Sequence, residues 1–263
     1  MIDLSEILTQ TIEIAKKAGG FIRKEAKTFD RNKIESKGLN DLVSYVDKEA
    51  EKILVHRLKE ILPEADFITE EGTATQSGKE YTWIIDPLDG TTNFIHGIPI
   101  FAVSIGLKYQ EELVLGVIYE VNFDECFYAS KGKGAYLNGD KIQVSQAQSL
   151  SESLIVTGFP YSAFDKIDDY LSILRSLMET CHGLRRLGSA ATDLCYVACG
   201  RSDGFFEYDL KPYDVAAGVV ILQEAGGKVT DFDGGKDFLF GKTILASNSH
   251  IHQEFLGEVQ KIW

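Results

Sequence analysis

The densest run of residues able to do chemistry is Trp83-Ile84-Ile85-Asp86-Pro87-Leu88-Asp89-Gly90-Thr91-Thr92-Asn93. An apolar strand delivers Asp86 at its end, and Pro87, which has no N–H to donate, predicts that the strand stops there. Asp89 follows three residues on, so both carboxylates can reach one small site. Gly90 permits a tight turn, and Thr91, Thr92 and Asn93 begin a short helix whose free N–H groups suit a phosphate oxygen. Two carboxylates beside an anion-favouring helix start call for a cation between acid and anion. Oxygen donors without His or Cys select Mg²⁺, Mn²⁺ or Ca²⁺ over zinc. Asp-Pro and Asp-Gly also make ordinary turns. The argument for a site rests on the coincidence of a strand end, two acids and a threonine-rich helix start.

Two further acidic positions are placed to join that pair. Glu70-Glu71 follows the strand 67–69, where it is either a solvated loop or part of the cluster. Asp214 lies in the first turn of an apolar helix, where it either serves the helix dipole or faces the site. Arg185-Arg186 is a basic pair in a chain poor in them. It is either a solvated surface pair or a guanidinium fork for the second phosphate of a bisphosphate substrate. His56, His96, His182, His250 and His252 show no ligand spacing linked to the acids and receive no role.

The elements that must position these residues are legible from their periodicity. Leu4, Ile7, Leu8, Thr11, Ala15, Ala18 and Ile22 mark an amphipathic helix, with Asp3 and Glu6 spaced as a capping box. The stretch 28–40 reads as a mobile loop. A second helix runs through Val46, Ala50, Ile53, Leu54, Leu58 and Ile61 to Pro63. Strands are predicted at 67–69, 81–85, 102–109, 113–119, 125–129 and 153–157, with a hairpin at Gln110-Glu111-Glu112 and turns at Gly132, Gly134 and Asn138-Gly139. Helices at 165–180, 189–200, 212–225 and 249–262 then alternate with short strands at 204–207, 228–230 and 243–246. The pattern predicts an antiparallel-rich α/β (α+β) chain in two closely packed halves, 1–150 and 151–263, forming one unit.

Bulk properties narrow the chemistry. Hydrophobic residues make up 44% of the 263 and charged residues 25%, which favours an ordered globular chain. The net charge of -13, without a basic tail, makes nucleic acid and anionic membrane poor expected partners. No basic-then-apolar leader and no long apolar run is seen, which points to the cytoplasm and to no membrane role. Cys126, Cys181, Cys195 and Cys199 form no C-x-x-C pair and read as buried thiols.

Several longer matches accompany the first motif: Tyr213-Asp214 through Glu224-Ala225-Gly226-Gly227, Glu70-Glu71-Gly72, Asp41-Leu42-Val43 to Asp47, Gly188-Ser189-Ala190-Ala191, Glu207 and Gly132 to Ala135. Together they resemble the inositol monophosphatase family of magnesium-dependent, lithium-sensitive phosphatases along essentially the whole chain. The resemblance implies a layered αβαβα sandwich of the sugar phosphatase type and a homodimer. It implies two or three Mg²⁺ per site: one held by Glu70, Asp86 and the carbonyl of Leu88, a second by Asp86, Asp89 and Asp214, and a weaker third near Glu70. Thr91, oriented by Asp47, would position and help deprotonate the attacking water. The substrate would meet Asp89, Gly90, Thr91 and Asp214, and its polyol hydroxyls would meet Glu207 and the Gly188, Ser189 and Ala190 backbone. Lys37 is the nearest candidate for a loop lysine near the third metal, one residue closer to Asp41 than the family spacing. Tyr213 stands where tryptophan commonly precedes the aspartate. The implied activity is hydrolysis of myo-inositol monophosphate, with fructose-1,6-bisphosphatase or broader sugar-phosphate hydrolysis as the alternative, alone or as a dual activity. A non-catalytic regulatory partner is the third reading, disfavoured by the intact acidic set.

Overall fold

Helix α1 (Leu4–Ala26) begins where the Asp3 carboxylate accepts the Ser5 N–H, a simple cap without the reciprocal Glu6 bond, and buries Ile7, Thr11, Ile14, Ala15, Ala18 and Ile22 on one stripe. The computed structural model describes residues 2–29, 34–38, 41–72, 78–160 and 163–263; the side chains of 34–38 and 41–43 lie outside that description. Strands β1 (Ile34–Gly38) and β2 (Asp41–Ser44) pair antiparallel, which corrects the expectation of a plain loop over 28–40. Four or five residues per strand, with no clear apolar alternation, left little periodicity to detect. Helix α2 (Tyr45–Ile61) starts at a capping box, in which Ser44 and Asp47 satisfy each other's end of the turn.

Both helices cover one face of a seven-stranded sheet with the order β3 (Ala65–Thr69), β4 (Tyr81–Asp89), β5 (Ala102–Tyr109), β6 (Glu112–Glu120), β7 (Glu125–Ser130), β8 (Ala135–Leu137), β9 (Asp140–Ile142). Only β3 and β4 run parallel there; the other neighbours are antiparallel. Strand β4 does not stop at Pro87 as expected. It continues to Asp89 through a bulge, since Asp86 pairs with Ser104 and Asp89 with Ala102, leaving one residue extra. A bulge tolerates the missing N–H of proline and re-aims the side chains on either side of it. Short helix α3 (Thr91–His96) follows.

The second sheet has the order β11 (Gly183–Arg185), β10 (Leu154–Thr157), β12 (Gly204–Tyr208), β14 (Thr243–Ser247), β13 (Lys228–Thr230). Helices α5 (Ala190–Ala198) and α6 (Pro212–Glu224) fill the space between the two sheets. Helices α4 (Ile167–Thr180) and α7 (His252–Gln260) close the far face of the second. The five layers are therefore α1/α2, sheet, α5/α6, sheet, α4/α7, the αβαβα sandwich.

The central layer is buried on both sides, which is why α6 is apolar almost all round. Its approach to the first sheet depends on Gly106 and Gly116, paired across β5 and β6. A Cβ at Gly106 would lie 3.0 Å from the Ala216 Cβ, and one at Gly116 would overlap the Ala217 carbonyl. Among the described residues no helix is long and apolar enough to cross a membrane. The four cysteines are free thiols. His252 is buried behind the second sheet between the hydroxyls of Ser247 and Thr230, a core role well away from the acids.

Candidate active site

Four elements meet at the end of the first sheet: acids come from the end of β3, from β4 and from α6, and the start of α5 supplies donors to Asp89. The parallel register pairs Thr69 with Ile85, so Glu70 emerges beside Asp86. The two carboxyl groups are close enough for each to disfavour ionisation of the other. Burial raises the Asp86 pKa most, and the charges of Glu70, Asp89 and Asp214 raise it further. Asp214 is pushed up to about 7, mainly by burial and then by Asp89. Asp89 is pushed up to about 6 by burial, against the opposing bonds from Ser189 and the Ala190 and Ala191 amides and the charge of Arg186.

Each of three carboxylates is pinned through one oxygen by a backbone N–H. Leu88 N donates to Asp86 Oδ1 at 2.9 Å, Ala191 N to Asp89 Oδ2 at 2.7 Å and Lys211 N to Asp214 Oδ2 at 2.6 Å. The acids are thus fixed in orientation without being neutralised. Among the described residues no three acidic, His or Cys side chains are already grouped around one ion position. What the structure supplies is an all-oxygen donor set, buried and crowded with acids whose pKa values burial raises. That chemistry fits a hard divalent ion.

Beside the acids, Thr91 Oγ1 lies 2.8 Å from Asp47 Oδ1 and 3.0 Å from the Leu88 carbonyl. Asp47 is buried, and its other oxygen accepts Ser44 N at 2.9 Å and Ser44 Oγ at 2.7 Å. One carboxylate therefore caps α2 and holds the threonine. Burial raises the Asp47 pKa and these bonds oppose the rise. Gly90, with φ +96°, turns the chain into α3; a Cβ there would lie 3.0 Å from the Ile100 carbonyl and 3.2 Å from that of Gly188. This close approach joins the β4 end to the 188–190 segment. Ser189 caps α5 and donates to Asp89 Oδ2 at 2.6 Å, with Ala190 next to it at the helix start.

Glu207 lies near the end of β12, buried with its carboxylate against Gly158. Burial, then Asp193 and Asp214, holds its pKa well above the usual range. The basic pair divides. Arg186 stands over the Phe159 ring at 5.6 Å, and its charge reaches Asp89, Asp193 and Glu207. Arg185 is exposed, its guanidinium donating to the Leu184 carbonyl, and does not join the site. Lys37 falls in β1, and its side chain lies outside the described residues.

Sequence alone did not single out Asp193 and Glu51. Asp193 is the one acid of the apolar helix α5, a signal that was visible. Glu51 is buried on α2 and accepts the Glu71 N–H at 2.7 Å, holding the turn after Glu70; nothing in its sequence neighbours marks it.

The five-layer sandwich, with its acids gathered at one end of the first sheet, is the architecture of the sugar phosphatases. The chain belongs to the inositol monophosphatase family, whose sequence model matches residues 3–263. It is 41% identical over 255 residues to Nus factor SuhB of Salmonella typhimurium strain LT2, covering 97% of this chain and 96% of that one. Among solved structures, the extragenic suppressor protein suhB of Bartonella henselae superposes with a TM-score of 0.92 at 40% identity, over 97% and 99% of the two chains. The inositol monophosphatase of Anabaena superposes with a TM-score of 0.90 at 36% identity, over 100% and 98%. Relatives carry the name Nus factor, and the expectation that nucleic acid is a poor partner has no support beyond net charge, which describes the far field and not a local surface.

Proposed function

We propose that this chain is a Mg²⁺-dependent phosphatase that hydrolyses a singly phosphorylated polyol, myo-inositol monophosphate in the first instance. The observation that carries the reading is that buried Asp86 feels the charges of Glu70, Asp89 and Asp214, beside the Thr91–Asp47 bond. Glu70, Asp86, the Leu88 carbonyl, Asp89 and Asp214 would hold the metal. Bound Mg²⁺ supplies charge neutralisation for the phosphate and acidification of water. The protein's own part is to hold and move a proton. Thr91 Oγ1 hands its proton toward Asp47 Oδ1, which frees a lone pair to accept a proton from the attacking water. Ser189 and the α5 amides fix Asp89, while Glu207 offers acceptors to substrate hydroxyls.

Fructose 1,6-bisphosphate is the competing substrate. The relatives' name, Nus factor, favours a further reading, a non-catalytic role in a larger assembly, which can coexist with turnover. A homodimer and a cytoplasmic setting belong to the same proposal. The test is phosphate release from inositol 1-phosphate and fructose 1,6-bisphosphate during Mg²⁺ titration, with Asp89→Asn as control. Mg²⁺-dependent release that the substitution abolishes supports the enzyme. No such release from either ester, or full activity in Asp89→Asn, overturns it. An inactive Asp89→Asn protein that still restores growth to cells lacking the chain would favour the assembly role.

A further inference from the structure

Strand β10 is followed by a glycine, Gly158, that its own backbone does not require. Its φ lies outside the left-handed region, so the chain there would admit a side chain. What fills the space of that side chain is the Glu207 carboxylate. A Cβ on Gly158 would overlap both carboxylate oxygens and the carbon between them, all about equally, so the carboxylate lies flat on the glycine. A carboxylate accepts hydrogen bonds near its own plane. The glycine therefore takes up its face and leaves the in-plane lone pairs free. Among the described residues none donates to them, and unlike Asp193 Oδ1 these oxygens are not sealed from solvent.

The glycine cannot back away from the acid. Strands β10 and β12 run parallel with Thr157 opposite Phe206, which brings Gly158 beside Glu207. Buried Tyr170 reaches across from α4 and donates to the Gly158 carbonyl at 2.9 Å, while Thr157 Oγ1 donates to the Phe206 carbonyl at 2.7 Å. The two hydroxyls lie 2.5 Å apart, and the Tyr170 and Phe206 rings pack with centroids 5.2 Å apart. One buried pair thus holds the carbonyl of the glycine and the carbonyl that precedes Glu207. Moving either strand would break these enclosed bonds, whereas a carboxylate is the free end of a flexible side chain. A methyl group at position 158 would displace the carboxylate and leave the strands where they are.

Resting on the phosphatase reading above, in which Glu207 meets the polyol, we propose that Gly158 is a specificity-determining residue whose missing side chain is the seat that aims the Glu207 carboxyl at substrate hydroxyls. No charge on Glu207 is needed for this, since a carboxyl that keeps its proton accepts at one oxygen and donates at the other. Preference for hydroxyl-bearing esters then depends on one contact between two protein groups. A single methyl group weakens it without touching the metal acids or the Thr91–Asp47 bond.

The test uses the full chain with inositol 1-phosphate and with p-nitrophenyl phosphate, an ester with no hydroxyl for Glu207 to meet, at matched Mg²⁺. Gly158→Ala should lower kcat/KM for inositol 1-phosphate roughly tenfold, the worth of one hydrogen bond. It should spare p-nitrophenyl phosphate and the Mg²⁺-induced rise in Tm. In a Glu207→Ala background the same substitution should change nothing further, because no carboxylate is left to displace. Equal loss on both esters, no loss on either, or a further loss in that background would overturn the proposal. Were Gly158→Ala to misfold, adding Glu207→Ala should restore folding, and failure to restore it would also overturn the proposal. If the wild type releases no phosphate from either ester, the phosphatase reading fails and the seat is judged by binding. The Tm rise induced by inositol 1-phosphate should then shrink in Gly158→Ala; an equal rise, or none in the wild type, overturns it.

Discussion

A hydroxyl has one proton to give, and Thr91 Oγ1 lies within reach of both Asp47 and the Leu88 carbonyl. If its service is to relay a proton to Asp47, removing the hydroxyl should act on turnover far more than on folding. Thr91→Ala is expected to lower kcat by about 10²–10⁴-fold with a near-native melting curve, while Thr91→Ser should keep most activity. Asp47→Asn should do both kinds of damage, since the same carboxylate caps α2; the added loss of stability is about 1 kcal/mol, readable in a urea melt. A Thr91→Ala enzyme of near-normal kcat would remove threonine from the proton path. At this scale the sequence was most informative where residue type limits chemistry. Asp86-Pro-Leu-Asp89-Gly reads as a site because few other uses need two acids, a proline and a glycine in five positions. Asp193 escaped because a single acid in an apolar helix has an ordinary explanation at the helix dipole. Arg185 and Arg186 could not be told apart until β11 set which of them faces the acids.

Elements carry these side chains to the site by packing, and α6 shows how tightly. Asp214 is held at the right depth because Gly106 and Gly116 let the helix sit directly on the sheet. Gly116→Ala would drive a methyl group into the Ala217 carbonyl, so the helix must lift. The expected cost is about 1–3 kcal/mol of stability, with a rise in the Mg²⁺ concentration needed for activity as Asp214 moves. Gly257→Ala is the control: nothing lies within 4 Å of the added Cβ on α7, so it should leave Mg²⁺ dependence alone and raise stability slightly. If both variants behave alike in thermal melts and Mg²⁺ titrations, close approach is not what positions Asp214. Long elements with strong periodicity, α1, α2, β5, β6 and α6, were legible because burial of one face, or of all faces, imposes a pattern. Of the three-residue strands, β13 was read at 228–230 whereas β8, β9 and β11 were not, since so few residues leave little alternation to detect. Nor was the bulge in β4, because Pro87 read locally as a stop and only pairing with β5 explains its tolerance.

On the scale of the whole molecule, a chain of net charge -13 concentrates buried acids at the junction of its layers, and that arrangement should make stability depend on pH and on cations together. Asp89 and Asp214 titrate near 6 and 7 in the folded protein against 3.8 for the unconstrained side chain. A folded-state pKa above the unfolded one means the folded state binds protons more tightly. The contribution of these acids is therefore fully present below about pH 4 and is lost as pH rises through 6 to 7. Metal-free protein should lose on the order of a few kcal/mol across that window. Mg²⁺ binds the same oxygens without their protons, so it competes with H⁺ and stabilises the folded state by mass action. The Mg²⁺-induced rise in Tm should accordingly grow from pH 5.5 to pH 8, and the half-maximal Mg²⁺ concentration should fall. Asp214→Asn removes one of the repelling charges. It should raise the Tm of the metal-free protein at pH 8 while blunting the response to Mg²⁺, two changes of opposite sign that general destabilisation cannot produce. Differential scanning fluorimetry over a grid of pH and Mg²⁺ measures both. A Tm indifferent to Mg²⁺, or a response of the same size at pH 5.5 and pH 8, would mean that the cluster is not where the cation binds.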